Sequence, residues 1–332
     1  MYYICNRKTN QITDMRATTQ ITQVGKPGKN TLATPTNWAI YLAEFVAAQD
    51  VRESSRKLYA RTLKLFFQWV DESGKSLNEL TRSDVLQYKD ELLAAGLSGL
   101  TVGSYLTAIR KFYEWAEGEK IYPNIAKGIR TPRRVQAFKK QHLTDTKSKA
   151  LLKYYEQTSP RDYAMVNLML RTGLRTVEVI RADVGDITFK GGRRILKVWG
   201  KGHTEKDAFV ILSDKAFLPL FNYLQTRRGA KDNAPLFTSD SPRNTGERLT
   251  TRSISRICKN GLKAIGLDGK EFTAHSLRHT TAVSILKHGG DISAAQAVLR
   301  HTTPTTTQIY IASIKEEMRL QKAPELLIDN AF

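Results

Sequence analysis

Apolar residues along the first third of the chain recur at helical spacing. After Thr36, a residue suited to capping a helix, Trp38, Tyr41, Leu42, Phe45 and Val46 fall at i, i+3, i+4, i+7 and i+8, one buried stripe. A second stripe over about 54–70 places Tyr59, Leu63, Phe66 and Val70 inward and leaves Arg56, Lys57, Arg61 and Lys64 elsewhere on the helix. A third helix, starting near Thr81 or Ser83, buries Val85, Tyr88 and Leu92; a fourth over about 101–117 buries Val102, Leu106, Ile109 and Phe112. Four amphipathic helices with short connections predict a compact bundle over 34–130, its aromatic residues forming core and not a platform for stacking bases. Before it, residues 1–33 end in Gly25-Lys26-Pro27-Gly28-Lys29-Asn30 and read as an extension or arm.

The periodicity then fails. Residues 131–142, with Pro132 and the cations Arg133, Arg134, Lys139 and Lys140, read as an extended linker, either a solvated charge run or a segment that crosses a DNA backbone. A second domain over 143–332 opens with helices at about 146–157, 161–171 and 176–182. Strand patterns follow at 186–189, 195–199 and 208–212, the first two separated by Gly191-Gly192, and helices return at about 251–265, 276–288, 292–299 and 304–312. The fold class is mainly α with a small antiparallel β-sheet. Such an order is not a βαβ pattern, which removes dinucleotide-binding and P-loop readings.

Charge narrows the function. The 332 residues carry 52 Lys+Arg against 32 Asp+Glu, a net charge of +20. A field of that sign gathers polyanions, and each neutralised phosphate releases counterions, so double-stranded nucleic acid is the expected partner. Two cysteines, Cys5 and Cys258, make no disulfide framework and suggest a reducing compartment. The polar N-terminus lacks a signal-peptide stretch and no segment has the apolar length of a membrane span; the expectation is a cytoplasmic protein, associated with the nucleoid when bound to DNA.

Candidate chemistry gathers in three segments: Thr172-Gly173-Leu174-Arg175, Ala274-His275-Ser276-Leu277-Arg278-His279, and His301 with Tyr310 nine residues beyond it. His275 and His279 have zinc-ligand spacing, but Ser276 stands where a zincin needs Glu, so no metal is expected. No Gly-x-Ser-x-Gly elbow exists, and no acidic cluster marks a two-metal nuclease. His275 and Arg278, at i and i+3, share a helix face. Two arginines, histidines and a phenol are what attack on a phosphodiester needs without metal. A phenol, of pKa about 10, leaves more readily than an alkoxide, so its phosphoryl ester is reversible. Two guanidinium forks bind the charge that builds on the non-bridging oxygens, histidine takes the phenolic proton, and lysine protonates the leaving oxygen.

In their order and spacing, Thr172-Gly173-Leu174-Arg175-Thr176-Val177-Glu178, His275-Ser276-Leu277-Arg278-His279 and His301-x8-Tyr310 resemble the tyrosine site-specific recombinases, the family of phage integrases and Xer-type enzymes. Trp199-Gly200-Lys201-Gly202 is similar to that family's lysine-bearing β-hairpin, and Leu143-Thr144-Asp145 to the start of its catalytic domain. The resemblance covers about 34–315. It implies a helical core-binding domain and an α+β catalytic domain forming a C-shaped DNA clamp. It further implies site-specific recombination (integration or excision, inversion, or resolution) by strand cleavage and religation, without metal, ATP or other cofactor.

Carried over by motif, Tyr310 would form a 3′-phosphotyrosine link, Arg175 and Arg278 would clamp the scissile phosphate, and Lys201 would be the general acid, with Lys206 a lesser candidate. His275 would act as base, His301 would hydrogen-bond the phosphate, and Glu178 would orient the site from behind. Arg56, Lys57, Arg61, Lys64, Arg110 and Lys111, with the linker cations, would contact DNA. Two departures stand out. Arg300 occupies the place where the family usually has Gly, a cation that adds a phosphate contact or alters the packing of the turn. The run after Lys201 is longer than usual. The resemblance also implies a homotetramer on two DNA sites. Met318, Leu320, Leu326, Leu327, Ile328 and Phe332 suggest a C-terminal tail that docks on a neighbouring protomer. Competing readings are a type IB topoisomerase, a telomere resolvase and a non-catalytic DNA-binding regulator.

Overall fold

The structure, a computed structural model, describes residues 38–133, 141–199, 205–301 and 329. The chain divides into two compact units, residues 1–136 and 137–332.

In the first unit, α1 (Trp38–Ala48), α2 (Glu53–Glu72), α3 (Arg82–Ala94) and α4 (Gly99–Gly118) form the expected helices. Their starts are chemically marked. The Asp84 carboxylate accepts from the Thr81 backbone N–H at 2.6 Å and from its hydroxyl at 2.7 Å, and the Thr101 N–H donates to Ser98 Oγ at 3.2 Å. Phe45, Leu63, Phe66, Val85, Val102, Leu106 and Ile109 are buried, as the stripes require. Phe67 is buried as well, although the single-stripe reading of α2 omits it. Its ring lies 5.3 Å from Trp38 of α1 and 5.2 Å from Phe112 of α4. A helix packed between two neighbours needs two adjacent apolar rows, and α2 has them.

The second unit is built around α10 (Ala274–Lys287), whose residues Ser276 to Val283 are all buried. Its polar positions bond to neighbouring elements: the Leu143 N–H donates to Thr280 Oγ1 at 2.8 Å, and Thr281 Oγ1 donates to the Leu170 carbonyl at 2.8 Å. Around it lie α5 (Asp145–Thr158), α6 (Pro160–Thr172), α7 (Thr176–Arg181), α9 (Thr251–Ala264) and α11 (Ile292–Leu299). β1 (Ile187–Lys190), β2 (Arg193–Val198) and β3 (Ala208–Ile211) make an antiparallel sheet in the order β1-β2-β3. Lys190 pairs with Arg193 across Gly191 and Gly192, both at positive φ, the two-residue turn that glycine permits. The helix expected at about 304–312 lies outside the described residues.

One helix escaped the sequence reading. α8 (Asp214–Gln225) contains Pro219, a residue that normally ends a helix by removing an N–H and crowding the preceding turn. The carbonyl left without its intrahelical donor is that of Lys215, four residues back. The side chain of Asn167, on α6, donates to it at 2.9 Å. Asn167 is 1% exposed, and its own carbonyl accepts from Arg171 Nε at 2.9 Å. Tertiary packing thus supplies the bond that local sequence removed. Asn167→Ala is expected to lower stability by about 2 kcal/mol, the cost of an unsatisfied buried carbonyl, in urea unfolding. In a Pro219→Ala background, where the helix repairs itself, the same change is expected to cost less than half as much; equal costs in both backgrounds would exclude this account of α8.

Candidate functional site

The site grows from the end of α6. Gly173 closes that helix in the left-handed region, at φ 62°, and a Cβ there would meet Leu299 Cδ2 at 2.6 Å. Glycine is therefore required twice at this point, by backbone conformation and by the close approach of α11. The turn brings Arg175 to the N-cap of α7, with Glu178 three residues on. Glu178 Oε2 accepts from the Arg175 backbone N–H at 2.7 Å, and Oε1 accepts from Arg175 Nη1 at 2.8 Å. Glu178 is 4% exposed. The carboxylate caps the helix and orients the guanidinium in one contact set.

Arg278 enters from α10. It is 2% exposed, and its guanidinium donates to the carbonyls of Gly173 and Leu299. One side chain thereby joins the ends of α6 and α11 to the central helix. Arg175, His275 and Arg278, with Thr176, Ser255 and Thr273, line a cavity of about 350 Å³. Two guanidiniums, an imidazole and hydroxyls in one concave site suit a bound oxyanion. Ser255, contributed by α9, belongs to this lining and was not anticipated; nothing in the repeat pattern of α9 separates it from its other polar positions.

His301 follows α11 and is 9% exposed. Burial, then the charges of Arg278, Arg175, Arg300 and His275, press its pKa down to about 4, so the ring is neutral near pH 7. Arg300, immediately before it, sits in the left-handed region at φ 54° and donates from Nη2 to Glu178 Oε2 at 2.8 Å. Its side chain thereby reaches the carboxylate that holds Arg175.

Four sequence-predicted residues, Arg175, Glu178, His275 and Arg278, are thus brought together, with His301 electrostatically coupled to three of them. Lys201 and Tyr310 lie outside the described residues. Lys206 Nζ donates to Asp183 Oδ2 at 2.6 Å and to Asp186 Oδ2 at 2.5 Å. Burial opposes its charge, yet the two carboxylates outweigh burial and hold the ammonium above its ordinary pKa. That makes Lys206 a poor proton donor and a firm anchor for the chain entering β3. His279, the other half of the zinc-spaced pair, is fully buried and meets His142 edge to face with ring centroids 5.4 Å apart.

The basic positions of the first unit divide. Arg56 donates to the Gln49 carbonyl from Nε at 3.0 Å and from Nη2 at 2.8 Å. Arg110 donates to the carbonyls of Leu106 and Ile129 and to Thr107 Oγ1. Both forks hold their own unit together, with N–H donors left over. Lys57, Arg61, Lys64, Lys111 and Arg133 are exposed, Lys57 and Lys111 in surface pairs with Glu53 and Glu114. Arg134, Lys139 and Lys140 lie outside the described residues. Among the described residues no helix is long and apolar enough to cross a membrane.

Comparison with known proteins agrees with this arrangement. Residues 39–120 match the N-terminal SAM-like domain of phage integrases. Tyrosine recombinase XerD of Listeria monocytogenes serotype 4b (strain F2365) is 29% identical over 280 residues, covering 81% of this chain and 91% of that protein. XerD of Yersinia pestis is 24% identical over 274 residues, covering 82% and 90%. The fold is shared with XerH bound to a palindromic difH substrate in a post-cleavage complex, at TM-score 0.65 and 20% identity over 81% of this chain and 79% of that one. It is shared also with a lambda integrase dimer bound to a COC′ core site, at TM-score 0.61 and 17% identity over 82% and 76%. The phage integrase family itself matches residues 141–317, more than half of the chain and all of the cavity described above, and the protein belongs to that family as a tyrosine recombinase.

Proposed function

We propose that this recombinase cleaves and rejoins duplex DNA at paired specific sites through a phosphotyrosine link to Tyr310. The observation that carries the reading is the single cavity in which Arg175 and Arg278 converge beside His275, each guanidinium fixed from behind by Glu178 or by backbone carbonyls. Preorganised charge of this kind accelerates phosphoryl transfer because nothing has to reorient as charge builds up. Neither topoisomerase, resolvase nor regulator is favoured by the family match.

In this mechanism Tyr310 Oη attacks the scissile phosphorus, its proton passing to His275. The bond from phosphorus to the 5′ oxygen breaks, and Lys201 supplies the proton that oxygen needs. Arg175 and Arg278 hold the non-bridging oxygens, and His301, neutral, donates a hydrogen bond to one of them. The phosphotyrosine conserves the bond energy, so attack by a 5′-hydroxyl from the partner strand reseals the backbone without ATP. Residues 34–130 serve as the core-type DNA-binding domain, 131–142 as a linker along the duplex, and 143–332 as the catalytic domain and tail. The working assembly is a homotetramer on two sites, closed by exchange of the apolar tail. The protein acts in the cytoplasm on nucleoid DNA, in the service of a mobile genetic element.

A nicked suicide duplex tests the nucleophile: the chain is expected to form a covalent protein–DNA adduct, and Tyr310→Phe none. Adduct with Tyr310→Phe, or none with the unaltered chain, rejects the mechanism. The general acid is separated by leaving-group chemistry. Lys201→Ala is expected to slow cleavage by about 10²–10⁴ on an ordinary phosphodiester but little when sulfur replaces the 5′ bridging oxygen, because a thiolate leaves without a proton. Lys206→Ala, which loosens an anchor, is expected to show the same loss on both substrates. Removal of residues 322–332 is expected to leave single-site binding intact and weaken synapsis of two sites in a gel-shift assay; full recombination by the truncated chain would refute the tail exchange.

A further inference from the structure

Arg300 occupies a position that its backbone conformation disfavours. At φ 54° a side chain crowds the carbonyl that follows, which is why glycine ends most helices that turn this way. Asn and Asp accept it through local hydrogen bonds of their short side chains, and arginine is an uncommon occupant. This one reaches into the site: it is 14% exposed, its Nη2 bonds Glu178 Oε2 at 2.8 Å, and its Nη1 bonds the Val298 carbonyl at 2.8 Å. Glu178, itself 4% exposed, is then divided between two guanidiniums, with Oε1 on Arg175 and Oε2 on Arg300.

Charge bookkeeping at the cavity depends on that division. Arg175 and Arg300 each carry one positive charge, and both bond the one carboxylate of Glu178. Arg278, the second clamping arginine, bonds the carbonyls of Gly173 and Leu299. A phosphodiester brings one negative charge, and more accumulates on its non-bridging oxygens as the attacking oxygen bonds. Without Arg300, Glu178 would cancel the charge of Arg175 in full. With Arg300, the trio of Arg175, Glu178 and Arg300 keeps one net positive charge.

We infer that Arg300 is a positioning residue for the cleavage step: it takes up half of the Glu178 carboxylate, so that Glu178 orients Arg175 without neutralising it, and it raises the positive potential where transition-state charge develops. The inference rests on the phosphate-clamp reading above. His301 offers an independent gauge of the same charge, because burial and then Arg278, Arg175, Arg300 and the His275 ring hold its pKa down at about 4.

The test compares Arg300→Gly and Arg300→Lys with the unaltered full-length chain. Glycine suits the left-handed backbone, so the first variant is expected to fold; lysine keeps the charge without the fork. In single-turnover cleavage of a nicked duplex, Arg300→Gly is expected to slow adduct formation about tenfold, the scale of one charge-assisted hydrogen bond, with duplex affinity changed less than about threefold because the charge acts in the transition state. In NMR titration of the histidine rings, the His301 midpoint is expected to rise in Arg300→Gly and stay low in Arg300→Lys. A normal cleavage rate in Arg300→Gly overturns the inference, and so does a slowed rate with an unmoved His301 midpoint, which would make Arg300 a prop of the turn. If the unaltered chain forms no adduct, the phosphate-clamp reading fails instead, and the His301 titration still decides whether Arg300 sets the local charge.

Discussion

Burying guanidinium groups at the meeting point of three helix ends is the constraint around which the second unit is arranged. A guanidinium cannot shed its charge, so every donor taken out of water needs an acceptor. Arg278 finds two in the carbonyls of Gly173 and Leu299, which are free because α6 and α11 end there. Helix termination and charge burial therefore solve each other: the orphaned carbonyls need donors, the arginine needs acceptors, and joining them locks α6, α10 and α11 at one point. The glycine at 173 follows from the same meeting, since any side chain there would collide with Leu299.

Function follows from how those groups are satisfied. Arg278 is held by two carbonyls, which carry no formal charge, and Glu178, shared between Arg175 and Arg300, cancels only one of their two charges. The result is a rigid cavity with an excess of positive charge and a histidine kept neutral beside it, a setting in which an oxyanion replaces water at little reorganisation cost. The overall charge of +20 acts at longer range, drawing DNA toward the surface, and is screened by salt in a way the buried cluster is not.

Much of this was legible in the sequence, and the exceptions have physical causes. Helices α1 to α4 announce themselves through their apolar stripes, and the strands through short β-prone runs set off by turn residues such as Gly191 and Gly192. The place of Glu178 behind Arg175 came with the family motif, and their three-residue separation makes the contact a local one. By contrast, α8 was hidden because Pro219 breaks the local rule and its compensation, Asn167, lies 48 residues in sequence from the Lys215 carbonyl that it bonds. Phe67 was missed because a one-stripe template does not describe a helix wedged between two others. Arg56 and Arg110 looked like surface cations, yet each is bonded to backbone carbonyls of its own unit, at Gln49 and Ile129 among others, and sequence cannot tell a snorkelling arginine from a tethered one. The bond from Arg300 to Glu178 spans 122 positions and depends on an unusual backbone angle, so no spacing rule anticipates it.

The central claim is that Arg175 and its neighbours act on the scissile phosphate through charge. Cleavage of a suicide duplex whose scissile phosphate is replaced by a neutral methylphosphonate tests it most directly, with the unaltered chain compared with Arg175→Ala. The account predicts a loss of about 10³ or more in the variant on the ordinary phosphate and a much smaller loss on the neutral one, because the charge that Arg175 balances is no longer there. An equal loss on both substrates would contradict it, and would assign Arg175 to the architecture of the turn instead.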